Sequence, residues 1–361
     1  MSSWILLAGA VVCGWVIVAI LVPPIARLCR RRGWLDQPSA RKIHTRPTPR
    51  LTGIALFVAI WGTVALMAII DPSRMREFTM HAIPVGLSAL LVLAVGIIDD
   101  FRPFGGWPKL GAELLTGIPL WIHGIGFERL WVPFVGGVEL GVLALPVSIV
   151  WYLMLLNAIN IIDGVDGLAV ATTTVATVPL IWIAWSMNLA PIWIASAGLI
   201  GGLLAFWRHN RPPARVFMGD SGSLSLGFFF ALIALLAPIK RFTALAFFVP
   251  LIALLLPLAE SALSVVRRTM RGTSPMAPDV SHLHHLLLRA GLTPRQVIAG
   301  YALVTAVFGA MCVALRYGNR RILTGVLAFF VLLGGWGLAM FLSRRLSRHD
   351  SAKHARPVDE V

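Results

Sequence analysis

The 361-residue chain is 58% hydrophobic and only 13% charged, and its mean hydropathy is +0.82. A water-soluble domain cannot cover its core with so few charged side chains, so the composition excludes one and indicates a protein of the lipid bilayer. The net charge of +15 does not indicate a nucleic-acid partner, because the basic residues lie between apolar stretches rather than along one polar face.

Apolar stretches recur along the chain, and a helix of about 20 such residues crosses a bilayer. The sequence predicts an all-α, polytopic membrane protein with about eleven transmembrane helices. The predicted spans lie near residues 4–26, 52–70, 81–98, 110–126, 141–159, 167–186, 190–207, 222–237, 243–266, 296–315 and 321–343. They form a single domain, 1–361, with a short polar tail, 344–361.

Most lysines and arginines fall on one side of these spans, in segments 27–51, 99–109, 208–221, 267–295 and the tail. The positive-inside rule therefore predicts a periplasmic N-terminus and a cytoplasmic C-terminus. On the other side, Gly136 and Gly137 indicate a short hairpin within residues 127–140. Gly198 and Gly202 form a GxxxG pattern, which indicates close helix packing rather than chemistry.

The first cytoplasmic segment ends in a basic loop stiffened by Pro47 and Pro49, with Lys42, His44 and Arg50 in it. Topogenic charge explains the arginines up to residue 32, whereas cations in a rigid loop indicate anion binding. Lys109, ten residues after Asp99, can bind the same anion or extend its amine to the membrane surface.

Carboxylates gather at the cytoplasmic ends of the spans. The first are Asp99 and Asp100, which close one span side by side. Adjacent carboxylates repel one another unless a cation neutralises them, and Mg²⁺ prefers such oxygens and bridges to phosphates. The alternative is a pair that only ends a helix in water.

A second group, Asn157, Asn160, Asp163 and Asp166, repeats every three residues at the end of another span. Neighbouring members share a helix face, but the whole run converges only if the helix breaks near Gly164. The alternative is a helix cap followed by a polar turn.

A third group surrounds Asp220, in a run of small residues directly before a span. Small residues allow the backbone to approach a ligand, and free amides at a helix N-terminus can bind phosphate. The alternative is an ordinary N-cap.

The fourth group consists of His282, His284 and His285, which follow a basic run containing Arg268. This segment resembles a metal tract, but no cysteine lies near it, so phosphate contacts are favoured over zinc. A solvated loop is the alternative.

Five motifs, within residues 42–53, 99–100, 157–168, 217–227 and 278–285, together resemble the polyprenyl-phosphate N-acetylhexosamine-1-phosphate transferase family, which includes the phospho-N-acetylmuramoyl-pentapeptide transferases. The run from Arg267 to His285 is similar to the branch that makes undecaprenyl-diphospho-GlcNAc for O-antigen and related surface glycans. Two residues depart from the family's pattern: Thr52 replaces a frequent glycine, and Glu260 replaces a frequent aspartate.

The resemblance implies a bacterial inner-membrane enzyme with its active site on the cytoplasmic face. It would transfer an N-acetylhexosamine 1-phosphate, first of all GlcNAc 1-phosphate, from a UDP-sugar to undecaprenyl phosphate and release UMP. Mg²⁺, or Mn²⁺ in its place, would be held by Asp99, Asp100 and Asp220. The catalytic residues would be Asp99, Asp100, Asp163, Asp166 and Asp220, and the substrate-binding residues would be Lys42, His44, Arg50, Lys109, Asn157, Asn160, Arg268, His282, His284 and His285.

Several alternatives stay open. Asp99 can assist direct attack by the lipid phosphate, or an aspartate can form a covalent intermediate, and direct attack is favoured. The histidine segment disfavours the muramoyl-pentapeptide reaction. An ion-coupled transporter would hold its acids near the membrane midplane rather than at one face. The sequence does not fix the donor sugar or the oligomeric state, a homodimer included.

Overall fold

The computed structural model describes residues 2–38, 46–132, 136–236 and 282–316, with residues 258–259, 265–266, 268–270 and 272. The chain divides into two compact units, Met1–Cys312 and Val313–Val361. The polar residues of the candidate site lie in the first unit. The single domain predicted from the sequence stays a prediction.

The described part of the chain is mainly helical. Its helices are α1 (Ser3–Arg32), α2 (Ile54–Ile70), α3 (Pro72–Met80), α4 (Ala82–Phe101), α5 (Gly106–Thr116), α6 (Ile118–Ile122), α7 (Ala144–Ile162), α8 (Leu168–Ser186), α9 (Ala190–Asn210), α10 (Gly219–Leu236), α11 (Leu283–Arg289) and α12 (Pro294–Arg316). Two antiparallel pairs add β1 (Leu35–Asp36) with β2 (Thr48–Pro49), and β3 (Arg129–Val132) with β4 (Gly136–Glu139).

Among the described residues, seven helices are long and apolar enough to cross a membrane, namely α1, α4, α7, α8, α9, α10 and α12. They confirm a polytopic helical membrane protein. The count of eleven and the orientation of the termini stay predictions. Span 52–70 is the 17-residue helix α2, and spans 243–266 and 321–343 lie mostly or wholly outside the described residues.

The span predicted over residues 110–126 is two short helices, α5 and α6, instead of one. The break falls at Gly117, where a Cβ atom would lie 2.5 Å from the Trp121 ring. Pro119 follows in the first turn of α6, where its missing N–H costs no helical hydrogen bond. An apolar run therefore does not ensure one continuous helix.

The hairpin predicted within residues 127–140 is confirmed by β3 and β4, which pair Arg129 with Glu139 and Val132 with Gly136. The β1–β2 pair is not predicted by the sequence. It joins the segment after α1 to the proline-containing loop and brings Arg50 towards the end of α4.

Close helix packing at the GxxxG pattern is also confirmed. A Cβ atom on Gly14 of α1 would lie 1.9 Å from the carbonyl oxygen of Gly198, and one on Gly201 would lie 1.9 Å from that of Val11. Helix α9 therefore packs against α1 at backbone distance, and it also packs against α2 and α8. Helix α10 packs against α2, α4 and α7 and is buried along most of its length.

Candidate active site

A lysine lies at the centre of the polar end of the helix bundle. The Lys109 amine, on α5, donates hydrogen bonds to Asp99 Oδ2 at 3.0 Å, to Asn160 Oδ1 at 3.3 Å and to Asp220 Oδ2. Four elements contribute to this group: the end of α4, the start of α5, the end of α7 and the first turn of α10. Residues far apart in sequence thus form one cluster, as their common side of the membrane predicts.

The charge of Lys109 is fixed by its surroundings. Burial acts to lower the pKa of the Lys109 amine, but the carboxylates of Asp220 and Asp99 outweigh burial and raise it above its usual range. Lys109 is therefore a permanent cation between two carboxylates. The alternative in which its amine extends to the membrane surface does not describe this structure.

Asp220 and Asp99 each have a second hydrogen-bond donor. The Asn160 amide donates to Asp220 Oδ1 at 3.0 Å and to Ser223 Oγ at 2.9 Å. The Phe104 N–H donates to Asp99 Oδ1 at 2.5 Å. These contacts hold both carboxylates in fixed orientations around Lys109.

Asp100 points the other way and anchors the start of α10. Its Oδ1 accepts hydrogen bonds from the Asp220 N–H at 2.9 Å and from Arg50 Nη2 at 3.1 Å, and its Oδ2 accepts one from the Ser221 N–H at 3.1 Å. An anion is favoured at a helix N-terminus. Gly219 has φ +68°, and a Cβ there would lie 2.5 Å from Asp100 Oδ1, so glycine is required.

The helix break predicted near Gly164 is confirmed, because α7 ends at Ile162 and α8 begins at Leu168. The two aspartates of this turn have different surroundings. Burial, and then the negative charges of Asp220, Asp100 and Asp166, raise the pKa of Asp163. Asp163 is therefore close enough to Asp220 and Asp100 for their negative charges to act on it.

Asp166 turns to a different partner: its Oδ2 accepts a hydrogen bond from the Ala214 N–H at 2.8 Å, in the loop after α9. The Gly167 N–H donates to Asn210 Oδ1 at 3.1 Å, and Asn210 Nδ2 donates to the Val216 oxygen at 2.9 Å. These hydrogen bonds connect the α7–α8 turn to the loop after α9.

Asn157 lies one helical turn deeper than Asn160. Its amide donates to Glu113 Oε2 at 2.5 Å and to the Leu153 oxygen at 2.9 Å. Glu113 is fully buried, and its other oxygen has no hydrogen-bond partner among the described residues. The sequence motifs do not include Glu113. The available signal was an acid four residues after Lys109 within a predicted apolar span.

The histidines lie beside the α7–α8 turn. The rings of His284 and His285 have centroids 4.3 Å apart, and those of His282 and His284 are 5.6 Å apart and nearly parallel. A Cβ on Gly164 would lie 3.4 Å from His284 Nε2. The fourth motif therefore adjoins the second, although they are more than a hundred residues apart in sequence.

Arg268 is half-buried, and its neighbours Arg267 and Arg271 lie outside the described residues. The predicted binding residues Lys42 and His44 also lie outside them, as does Glu260. Thr52, by contrast, is described and fully buried.

The site's chemistry fits a hard divalent cation. The carboxylates of Asp99, Asp100 and Asp220 outnumber the cations of Lys109 and Arg50, which leaves negative charge for a further cation. In the part of the chain that the structure describes, no three His, Cys, Asp or Glu side chains are grouped to hold an ion. Mg²⁺ commonly binds through one or two carboxylates, with waters and substrate phosphates completing its shell.

A bundle of helices that can span a membrane, with buried acids and cations at one end, defines a multi-pass membrane protein with a charged site. Residues 82–237, which include the Asp99, Lys109, Asn160 and Asp220 cluster, match glycosyl transferase family 4.

The chain is 31% identical over 317 residues to the probable undecaprenyl-phosphate N-acetylglucosaminyl 1-phosphate transferase of Bacillus subtilis, covering 88% of this chain and 86% of that one. It is 30% identical over 360 residues to the decaprenyl-phosphate N-acetylglucosaminephosphotransferase of Mycobacterium tuberculosis, with 89% and 85% covered. A phospho-N-acetylmuramoyl-pentapeptide-transferase of Leuconostoc mesenteroides is 30% identical over 318 residues, with 82% and 94% covered.

The chain therefore belongs to the polyprenyl-phosphate N-acetylhexosamine-1-phosphate transferases of glycosyl transferase family 4. The resemblance drawn from its five motifs is confirmed.

Proposed function

We propose that this protein transfers N-acetylglucosamine 1-phosphate from UDP-N-acetylglucosamine to undecaprenyl phosphate and releases UMP. The observation that carries the proposal is the Lys109 amine between Asp99 and Asp220, at the end of the membrane-spanning helices. The names of the Bacillus and Mycobacterium relatives support both the acceptor class and the sugar. The product would begin a lipid-linked surface glycan of the O-antigen type, on the cytoplasmic face of a bacterial inner membrane.

The proposed step is a phosphoryl transfer. An oxygen of the acceptor phosphate attacks the phosphorus that carries the sugar and forms a new P–O bond. The bond from that phosphorus to the bridging oxygen breaks, and UMP leaves with this oxygen. Two anionic substrates must approach each other, so cations that reduce their repulsion and stabilise the transferring group favour the reaction. Lys109 and Arg50 supply such charge, and the histidine cluster offers further hydrogen-bond donors.

Direct attack fits these residues better than a covalent aspartyl intermediate. Both oxygens of Asp99 accept hydrogen bonds, and so do both oxygens of Asp220. A carboxylate held in this way is a poor nucleophile, and an acceptor phosphate that is already ionised needs no general base. Asp99 and Asp220 therefore orient Lys109.

Asp99 and Asp220 would hold Mg²⁺ or Mn²⁺, with Asp163 near them. When bound, the ion stabilises charge on the phosphates. Asp100 would contribute less than the sequence predicts, because four N–H groups already occupy its oxygens, two more than at Asp99 or at Asp220.

The proposal is tested by transfer with purified protein in detergent, undecaprenyl phosphate, Mg²⁺ and radiolabelled UDP-GlcNAc. We expect label in the lipid phase, release of UMP, and loss of both when EDTA is added. Parallel reactions contain labelled UDP-GalNAc or UDP-MurNAc-pentapeptide. Transfer from the pentapeptide donor alone would replace the proposal by the reaction named for the Leuconostoc relative. Absence of transfer from every donor in folded protein would contradict the proposal.

A further inference from the structure

A second charged feature lies beside the candidate active site. A cavity of about 580 Å³ opens between the end of α9, the loop after α9 and the start of α12. Trp207 and two prolines form part of its wall, and four arginines line it: Arg208, Arg211, Arg215 and Arg295. None of the four has an ion pair with another residue in the described ranges.

Membrane topology explains only part of this charge. Arg208 lies in the last turn of α9, where both the positive-inside rule and the helix dipole favour a cation. Arg295 lies in the first turn of α12, where the helix dipole disfavours one. Four like charges around one cavity also repel one another. A bound anion would remove both penalties, and guanidinium groups bind phosphate with paired hydrogen bonds.

The cavity is connected to the α7–α8 turn through its own wall. The lining loop contains Ala214, whose N–H donates to Asp166, and Trp207 would lie 2.8 Å from a Cβ on Gly167. Asn210 joins that turn to Val216 on the far side of the loop. An anion held by this loop would therefore stabilise the turn that carries Asp163. The lining arginines are distinct from the residues that hold Lys109.

We propose that this cavity is a binding site for a phosphate group separate from the two reacting phosphates. The phosphate can belong to an anionic lipid headgroup or to a soluble phosphate, since the guanidinium chemistry is the same for both. The ends of two membrane-spanning helices and the half-buried Trp207 place the cavity at the membrane surface, where headgroups are concentrated. This inference does not depend on the proposed reaction.

The test measures the thermal unfolding midpoint of the purified full-length protein in a non-ionic detergent, without substrates. Three probes are titrated separately: dioctanoyl phosphatidylglycerol, inorganic pyrophosphate and, as a zwitterionic control, dioctanoyl phosphatidylcholine. We expect phosphatidylglycerol or pyrophosphate to raise the midpoint to a plateau. In R211Q/R295Q the half-saturating concentration should increase at least about tenfold, because two charged hydrogen-bond donors are lost.

The matched control is R30Q/R31Q, which removes the same charge from exposed positions at the end of α1. It should bind like the unchanged protein. A second double variant, R208Q/R215Q, repeats the comparison if the first fails to fold.

If the unfolding midpoint reaches a plateau with phosphatidylglycerol, the ligand of the cavity is a lipid headgroup. If it reaches a plateau with pyrophosphate, the ligand is a soluble phosphate. Either supports the site when the cavity variants alone weaken it. A plateau with neither, or equal weakening in the cavity and control variants, would overturn the inference. Because no donor or acceptor is present, neither result bears on the transfer reaction.

Discussion

Thr52 shows how a residue that departs from its family's pattern can support the site. Its hydroxyl donates to the Phe217 carbonyl oxygen at 2.6 Å, and the side chain is fully buried. The adjacent Gly53 N–H donates to the Met218 oxygen at 3.0 Å. These two bonds join the start of α2 to the segment that leads into Asp220. A glycine at position 52 could not make the first of them.

Replacing Thr52 by valine keeps its shape but removes the hydroxyl. We expect T52V to lose about 1–3 kcal/mol of stability, because the Phe217 carbonyl oxygen loses the hydroxyl donor of the fully buried Thr52 side chain. Transfer should fall with it, since the same segment positions Asp220. T52S keeps the hydroxyl and serves as the control. Equal thermal unfolding midpoints and equal transfer rates for the two variants would show that the bond is unimportant.

Glu113 is expected to position Asn157 rather than to react. E113A should slow transfer and reduce stability by about 1–3 kcal/mol, because the half-buried Asn157 amide loses one of its two acceptors. E113Q can still accept that bond and should be much closer to the unchanged protein. Both are measured by transfer kinetics and thermal unfolding. A loss in E113Q as large as that in E113A would indicate that the negative charge itself is required.

At this scale the sequence predicts the site's members better than their contacts. Asp99, Asp220 and Asn160 come together as their positions at the ends of spans predict, because helices that end at one membrane surface bring their ends together. The partner of each is not predictable, because the Lys109 and Glu113 contacts depend on how α5 packs against its neighbours. An isolated acid in an apolar run has no spacing pattern that could reveal its partner.

The backbones of α4 and of the residue before α2 lie in direct contact with the start of α10. The glycines at these contacts, Gly96 and Gly53, therefore leave no room for a larger side chain. A Cβ on Gly96 of α4 would lie 2.6 Å from the Ser221 Cα and 2.7 Å from the backbone carbonyl oxygen of Asp220. This approach lets Asp99 and Asp100 reach the first turn of α10. Sequence predicts small residues near Asp220 as a ligand cradle, but here several of them accommodate another helix.

G96A should therefore separate α4 from α10, at a cost of about 1–3 kcal/mol for overpacking, and should reduce transfer strongly. The control is G86A in the same helix, where a Cβ would meet nothing within 4 Å. It should leave transfer unchanged. Comparing the two variants for transfer and thermal unfolding checks the packing account, which equal behaviour would contradict.

Helix boundaries were predictable where apolar length decides them, as in α4, α7, α8 and α9. They were not predictable where local packing decides, as at the Gly117 break between α5 and α6. The β1–β2 pair is similarly invisible in sequence, because each strand has only two residues. Yet this pair positions Arg50 near Asp100.

The whole molecule combines two charge patterns with separate physical causes. Arginines near the ends of helices reflect membrane orientation and, at the cavity beside α12, the proposed phosphate site. The aspartates form a second pattern, concentrated around one lysine and one arginine at the end of the bundle. Apolar helices fix the molecule in the bilayer and so bring this cluster to its surface, where a lipid acceptor and a soluble donor can meet.

The central claim is that the cluster around Lys109 performs the transfer of N-acetylglucosamine 1-phosphate. It is tested most directly by measuring label transfer from UDP-GlcNAc to undecaprenyl phosphate with D220N, matched against E139Q, which alters an exposed acid on the hairpin. With both variants shown to be folded by their thermal unfolding, D220N should lose at least about 100-fold in rate, because Lys109 loses a charged partner. E139Q should keep the full rate. Full activity in folded D220N would contradict the account.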